Sequence, residues 1–238
     1  DTITAAVRGQ FKLVPDIRWI EWIGGDIVVG GASRRVSYHN GDDFRQIWSW
    51  PNGNSEIRSV SMLKQSGEKP MVVAGADPGK VVLLHTDSGS MERSYHGAPE
   101  IVRHARPSPD GRHIVAVGRN GPPTIFDAER SQETRNWSHP DGKWVDAAWK
   151  DDSTLLALDK SGMVWSLTAE KADKAASIPK PSTDAEAVGF SIGGPVLWKS
   201  ANGITISTTY GKSAGLSLNG PALGGFYIDN EFMAVAVN

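Results

Sequence analysis

Residues 70–87 read Pro70-Met-Val-Val-Ala-Gly-Ala-Asp77-Pro-Gly79-Lys80-Val-Val-Leu-Leu-His-Thr-Asp87, two β-rich apolar runs joined by a polar turn. Short continuous apolar runs bounded by turn residues favour strands over helices, and Asp-Pro-Gly supplies the turn between them. The same hairpin recurs along the chain, with Gly79, Gly121, Gly162 and Gly203 at intervals of 42, 41 and 41 residues. The run before the turn reappears at 26–32, 70–76, 113–119, 154–160, 195–201 and 232–238. The run after it reappears at 34–40, 81–87, 123–129, 163–169 and 204–210, and residues 2–9 have the same character. Third strands follow at 44–50, 91–96, 132–137, 174–179, 215–219 and 10–14. A further strand opens each unit at Ile17, Ile57, Ile101, Val145, Val188 and Phe226. Helical periodicity is weak throughout, and its best stretch, Thr168 to Ala176, reads equally as a short helix or a polar loop.

A four-stranded antiparallel unit of about 40 residues cannot bury both its faces alone, so such units stack radially as propeller blades. The expected fold is all-β, a single domain over residues 1–238: a six-bladed β-propeller of four-stranded antiparallel blades at roughly 17–55, 56–99, 100–143, 144–186 and 187–224. The last blade is closed jointly by 225–238 and 1–16, which pairs strand edges otherwise open at both termini. The segment His139-Pro-Asp-Gly-Lys-Trp-Val-Asp-Ala-Ala-Trp149, with Asp159-Lys-Ser-Gly162 and Val164-Trp165, resembles a WD40-type repeat. Ser108-Pro-Asp-Gly111 followed by Ile125-Phe126-Asp127 resembles one too. The resemblance covers two blades, roughly Ile101 to Leu167, and implies a rigid platform that binds other proteins.

Composition narrows the function classes. Of 238 residues, 26 are Gly and 14 Pro, ample for many turns but too few for a low-complexity coil. Hydrophobic residues at 39%, with nine Trp, can form a sizeable core. A net charge of −2 without runs of like charge argues against nucleic acid or an anionic membrane as partner. No apolar stretch approaches the roughly 18 residues of a membrane span, so a soluble chain is expected. Cysteine is absent, which removes disulfides and thiolate metal sites. Asp1 opens the chain without a basic and apolar leader, as expected of a processed mature chain or an excised domain; the compartment is cytoplasmic, or extracytoplasmic if a signal peptide has been removed.

Candidate chemistry is sparse. Gly189-Phe-Ser191-Ile-Gly193 spells a hydrolase elbow, but Gly194-Pro195 and another strand follow instead of the required helix, so a hairpin turn is expected. Ser138-His-Pro-Asp141-Gly142 resembles the Asp box of sialidase-like propellers with the wrong Asp-to-Ser spacing, and reads as a tight turn. The six His are scattered, and Asp42-Asp43 after Asn40-Gly41 suits turn chemistry as well as Ca²⁺. No catalytic residue, metal or cofactor is expected.

Binding residues are sought on the face that gathers the inter-blade loops and the glycine-bearing turns. Arg34, Arg35, Asp77, Lys80, Arg119, Asn120, Lys160 and Asn202 come from the turns, and His96, His139 and Lys143 from the inter-blade loops. Asp16-Ile-Arg18, Glu56-Ile-Arg58 and Glu100-Ile-Val-Arg103 repeat an acid followed by Arg at the start of three innermost strands. Converging at a channel mouth, Arg18, Arg58 and Arg103 would grip an anion; paired with their acids, they would form a structural ring. Trp48 and Trp50 share a strand face beside Pro51-Asn-Gly-Asn54 and, if exposed, suit a protein hot spot or a sugar ring. The expected function is a non-catalytic interaction scaffold in a larger assembly or longer polypeptide, with protein partners that include acidic segments. A carbohydrate-binding propeller is the alternative. A propeller hydrolase or lyase working in the channel is the third, and it lacks a second convergent carboxylate or a metal.

Overall fold

The computed structural model describes residues 17–235 apart from 24, 32, 66, 119–120, 131–132, 137–143, 169–170, 184, 191–195, 201–202, 208–212, 218–223 and 229–230. Among the described residues the chain is all-β, without a helix. The first sheet comprises β1 (Ile17–Ile23), β2 (Asp26–Gly31), β3 (Arg35–His39) and β4 (Gln46–Pro51). The second comprises β5 (Ile57–Leu63), β6 (Met71–Ala76), β7 (Lys80–His85) and β8 (Met91–His96). The third comprises β9 (Val102–Pro107), β10 (His113–Gly118), β11 (Thr124–Asp127) and β12 (Glu133–Asn136). The fourth comprises β13 (Trp144–Trp149), β14 (Leu155–Asp159), β15 (Met163–Leu167) and β16 (Ala172–Ser177). The fifth comprises β17 (Glu186–Phe190), β18 (Val196–Ser200), β19 (Gly203–Ser207) and β20 (Ser213–Ser217), and a hairpin of β21 (Gly224–Ile228) and β22 (Glu231–Val235) follows. Every pairing is antiparallel between sequence neighbours, so each sheet is a meander.

Apolar burial explains why the second strands read as unbroken hydrophobic runs. Val72, Ala74 and Ala76 of β6 join Val28, Val36, Tyr38 and Trp48 of the first sheet in one cluster. Val73, between them in sequence, points the other way and joins Val102, Ala105 and Ile114 of the third sheet. Two further clusters fill the interfaces between the third and fourth sheets and between the fourth and fifth. A strand covered on both faces has no solvent side, so period-two alternation disappears. The outermost strands keep their polar residues: β16 is exposed along most of its length. Thr168 to Ala176, expected as a short helix or a polar loop, therefore contains most of a strand, because pairing with β15 decides its conformation.

The first strands share a second periodicity. Register slips by one residue between Ile17 and Trp19, Ile57 and Ser59, Val102 and His104, Trp144 and Asp146, and Ala187 and Gly189. Each slip is a β-bulge, with Arg18, Arg58, Arg103, Val145 and Val188 as the extra residues. Beyond the bulge, successive first strands lie against each other and are joined by side chains. Ser59 Oγ accepts the N–H of Ala105 (3.0 Å) and Ser61 Oγ donates to its carbonyl (2.7 Å). One sheet on, the Arg106 guanidinium donates to the carbonyl of Ala147 (2.7 Å).

The β2–β3-type turns, the starts of the first strands and the loops between sheets all lie at one end of the sheets. There Gly79, Gly121 and Gly162 have φ of 56°, 98° and 88°, the left-handed conformation that a tight turn requires. Residues 1–16 and 236–238, assigned from sequence to the last blade, lie outside the described residues, as do Ser138, Asp141 and Ser191.

Close approach of the sheets makes Gly75 a steric requirement. A methyl group there would lie 2.6 Å from Ser59 Oγ and 2.7 Å from Val102 Cγ1. The Gly75→Ala variant is expected to lose about 1–3 kcal/mol of stability in urea unfolding, with overlap outweighing the gain in strand propensity.

Candidate functional site

At the loop-bearing end, the first and second sheets leave a groove of about 450 Å³ between them. Its wall on the first sheet is Trp50 and Pro51 with Asn52, Gly53 and Ser55 of the loop leading to β5. Asp77, Pro78, Lys80 and His96 of the second sheet form the other wall. Asn52 holds the loop in shape: its N–H donates to the carbonyl of Arg34 (2.8 Å), its carbonyl accepts from Ser55 N–H (3.1 Å), and its side-chain amide donates to the Ser55 carbonyl (3.2 Å). Lys80 Nζ lies 5.6 Å from the ring centroid of Trp50, a cation–π contact across the groove. Asp77 Oδ2 accepts from Arg58 Nε at 2.8 Å, whereas Oδ1 accepts nothing among the described residues.

Four residues expected from sequence, Trp50, Asp77, Lys80 and His96, thus meet in one concavity. Arg34 stands at its rim, donating to Asn54 Oδ1 at 3.5 Å. Arg35 sits on the opposite face of the first sheet, toward Ser49. Lys160 occupies the equivalent turn of the fourth sheet, away from the groove. Arg119, Asn120, Asn202, His139 and Lys143 lie outside the described residues. Pro51, Asn52, Ser55 and Pro78 were not singled out as binding residues, although Pro51-Asn-Gly-Asn54 stood out as a turn beside Trp50.

The tryptophan pair is split, so the condition on which both rings would serve as a binding face is not met by Trp48. Trp48 is 8% exposed, stacks on Tyr38 with centroids 5.2 Å apart, and donates from Nε1 to the Thr86 carbonyl (2.7 Å). It is buried because the β7–β8 turn of the second sheet covers it, with Gly89 leaving room for the ring. Trp50 points the same way but lies beyond the reach of that turn. Near Asp42 and Asp43, Asn40 Oδ1 accepts the N–H groups of both residues at 3.0 and 3.1 Å, a self-contained turn. Among the described residues no three His, Asp or Glu side chains converge to hold a metal.

Around the axis, Arg58 turns to its own sheet and lead-in loop. Its Nη2 lies 2.9 Å from Glu56 Oε2 in addition to the Asp77 bond. For Arg18 only the backbone is described, and Arg103 is half-buried beside His104. The residues that converge come one position after the bulge: the Trp19 ring meets His104 edge-on at 5.0 Å, and His104 Nε2 lies 3.8 Å from Asp146 Oδ1. Asp146, fully buried, receives a two-pronged contact from Arg106 at 2.7 and 3.2 Å. This arrangement fills the space between the first strands with a structural ion pair and presents one carboxylate.

The sequence matches no family model and no curated protein. Among solved structures, the chain is similar to the computationally designed Ika8 protein, with a TM-score of 0.62 at 17% identity over 93% of this chain and 68% of that one. It is also similar to the computationally designed Ika4 protein, with a TM-score of 0.55 at 17% identity over 68% of this chain and 95% of that one. The likeness is one of fold, a propeller-like succession of four-stranded antiparallel sheets.

Burial pushes the His104 imidazole down to about 4, against a smaller opposing pull from Asp146. Above the unfolded value of about 6.5, His104 is neutral in both states and the native structure keeps its full stability. As pH falls from about 6.5 toward 4, the unfolded chain takes up the proton first, so up to about 3 kcal/mol is lost. His104→Gln is expected to remove this part of the pH dependence, read by comparing urea midpoints of variant and parent at pH 7 and pH 4.5.

Proposed function

We propose that the protein is a non-catalytic interaction platform, a six-bladed propeller that binds protein segments on its loop-bearing end. The observation that carries this reading is the groove between the first two sheets. Three separate segments bring an aromatic face, a cation, a carboxylate oxygen and a histidine into one concave surface. Such a mixture suits recognition, since aromatic anchors beside charged groups dominate protein interfaces. Catalysis is less well supported, because the only acid placed among the converging axial side chains of the described residues, Asp146, is occupied by Arg106.

The count of six blades is supported by the hairpin β21–β22, which opens a sixth unit of the repeat. It is also supported by the first sheet, whose Ile17, Ile20 and Trp22 are 39%, 36% and 50% exposed. With the bulge at Arg18 these three share one face of β1, the face a last blade would cover. Membership of the WD40 type is supported by turn chemistry in the third and fourth sheets. Asp110 Oδ1 accepts from Ser108 Oγ (2.6 Å) and Arg112 N–H (3.0 Å), and Asp159 Oδ2 accepts from Trp165 Nε1 (3.1 Å).

Two measurements test these readings. Selection from an unbiased peptide display library is expected to yield binders whose affinity falls about tenfold or more in Trp50→Ala, with thermal unfolding showing the variant folded. Recovery of no binder, or binders indifferent to Trp50, would count against the platform. Deleting residues 1–13 is expected to lower the unfolding temperature by several degrees and to raise acrylamide quenching of tryptophan, as an uncovered first sheet requires. Unchanged unfolding and quenching would refute joint closure of the ring.

A further inference from the structure

The groove does more than offer shape, because its charges are unevenly spent. Glu56 and Asp77 both approach Arg58, so the acids on that side of the groove are largely neutralised from behind. Lys80 has no carboxylate partner among the described residues; its ammonium rests on the Trp50 ring, a contact that is weak where water reaches it. A charge-assisted bond to an incoming carboxylate is stronger than that. Arg34 adds a second cation near the rim, held among the described residues by the amide oxygen of Asn54 at 3.5 Å. An anion is therefore favoured near Lys80. Asp77 Oδ1, a buried acceptor without a donor, asks for the opposite partner, an N–H or O–H. A cationic donor is disfavoured there, since Arg58 and Lys80 flank the position.

We propose, on the basis of the platform reading, that the groove recognises an acidic residue within an extended peptide segment. The side-chain carboxylate draws Lys80 off Trp50, and the main-chain N–H of that segment donates to Asp77 Oδ1, which is closed to solvent in the unliganded groove and is uncovered by that displacement. The uncovered ring then receives an apolar neighbour of the acidic residue. A peptide acid satisfies both demands because it carries a neutral donor and an anion a few bonds apart. Free carboxylate or inorganic phosphate at neutral pH offers the anion chiefly, and a neutral sugar offers only the donors.

The test uses the full chain and four probes: a capped hexapeptide Ala-Glu-Glu-Leu-Glu-Ala, its all-Gln counterpart, the Glu peptide with N-methylated glutamates, and sodium acetate. Binding is followed by calorimetry and by fluorescence, with Trp50→Phe identifying the signal from this ring. The expected result is an affinity for the Glu peptide at least about tenfold above that for the Gln and N-methyl peptides. Acetate is expected to be far weaker than either, and binding of the Glu peptide to weaken as salt rises. In Lys80→Gln, a surface change that leaves the fold intact, the preference of Glu over Gln is expected to vanish while residual binding to both peptides persists. Equal affinities for the Glu and Gln peptides, or a preference that survives in Lys80→Gln, would overturn the inference. So would N-methylation without effect. If library selection still returns Trp50-dependent peptides of other composition, the platform stands and only the acidic preference fails; if no peptide of any composition binds, both fail.

Discussion

The first strand of each sheet is an edge strand, and an edge strand carries a row of backbone groups that its own sheet cannot satisfy. Here side chains of the first strands, mostly of the neighbouring one, supply the missing partners. Ala105 has its N–H taken by Ser59 Oγ and its carbonyl by Ser61 Oγ of the preceding sheet. Ala147, in the equivalent position one sheet on, has its carbonyl taken by Arg106 of the preceding sheet and its N–H by the carboxylate of Asp146. The same backbone groups are thus satisfied twice by unrelated side chains. The recurring bulge sets this up, because one extra residue adds local twist and re-aims the side chains that follow it. Inward residues such as Trp19, His104 and Asp146 then meet at the axis, where Arg106 compensates the buried carboxylate; without it, an unpaired buried charge would cost about 3–5 kcal/mol.

Packing density follows from that contact. Sheets joined at their inner edges lie close enough that Gly75 has no room for a methyl group, and each interface encloses one apolar cluster drawn from both sheets. Middle strands receive a cluster on each face, whereas outer strands splay toward solvent. The gradient from β6, buried along most of its length, to β16, mostly exposed, is the radial direction written in residue type.

That gradient explains what was legible in the sequence. Valine-rich middle strands and glycine turns announce the repeat because burial on both faces leaves little choice of residue. β16 does not announce itself, since Ala172, Asp173 and Lys174 face water and only pairing with β15 makes them a strand. The acid-then-Arg pattern was visible, but that Arg58 reaches Asp77 depends on the β5–β6 register, which brings Ile57 opposite Ala76 just before the turn. Trp48 and Trp50 were correctly placed on one face by alternation. Their depth was not legible, because it depends on how far the β7–β8 turn of the next sheet extends.

The two ends of the sheets divide stability from recognition. At the end opposite the groove, turns use their side chains on themselves, as when Asp151 Oδ1 takes the N–H groups of Ser153 and Thr154 at 2.9 and 2.7 Å. Bonds between sheets then join them: Gln65 to the Gly111 carbonyl, Asp110 N–H to Asp152, and Trp48 to the Thr86 carbonyl. Polar groups there are consumed by the fold. At the groove end, Asn52 closes its loop on its own sheet and Asp77 spends one oxygen on Arg58, so among the described residues the Lys80 contact is what spans the first two sheets above Trp50. A cation–π contact is weak enough to be exchanged for a ligand and strong enough to keep the ring covered without one. Because the stability of the sheets resides at the axis and at the far end, Lys80 can leave Trp50 without loosening the fold.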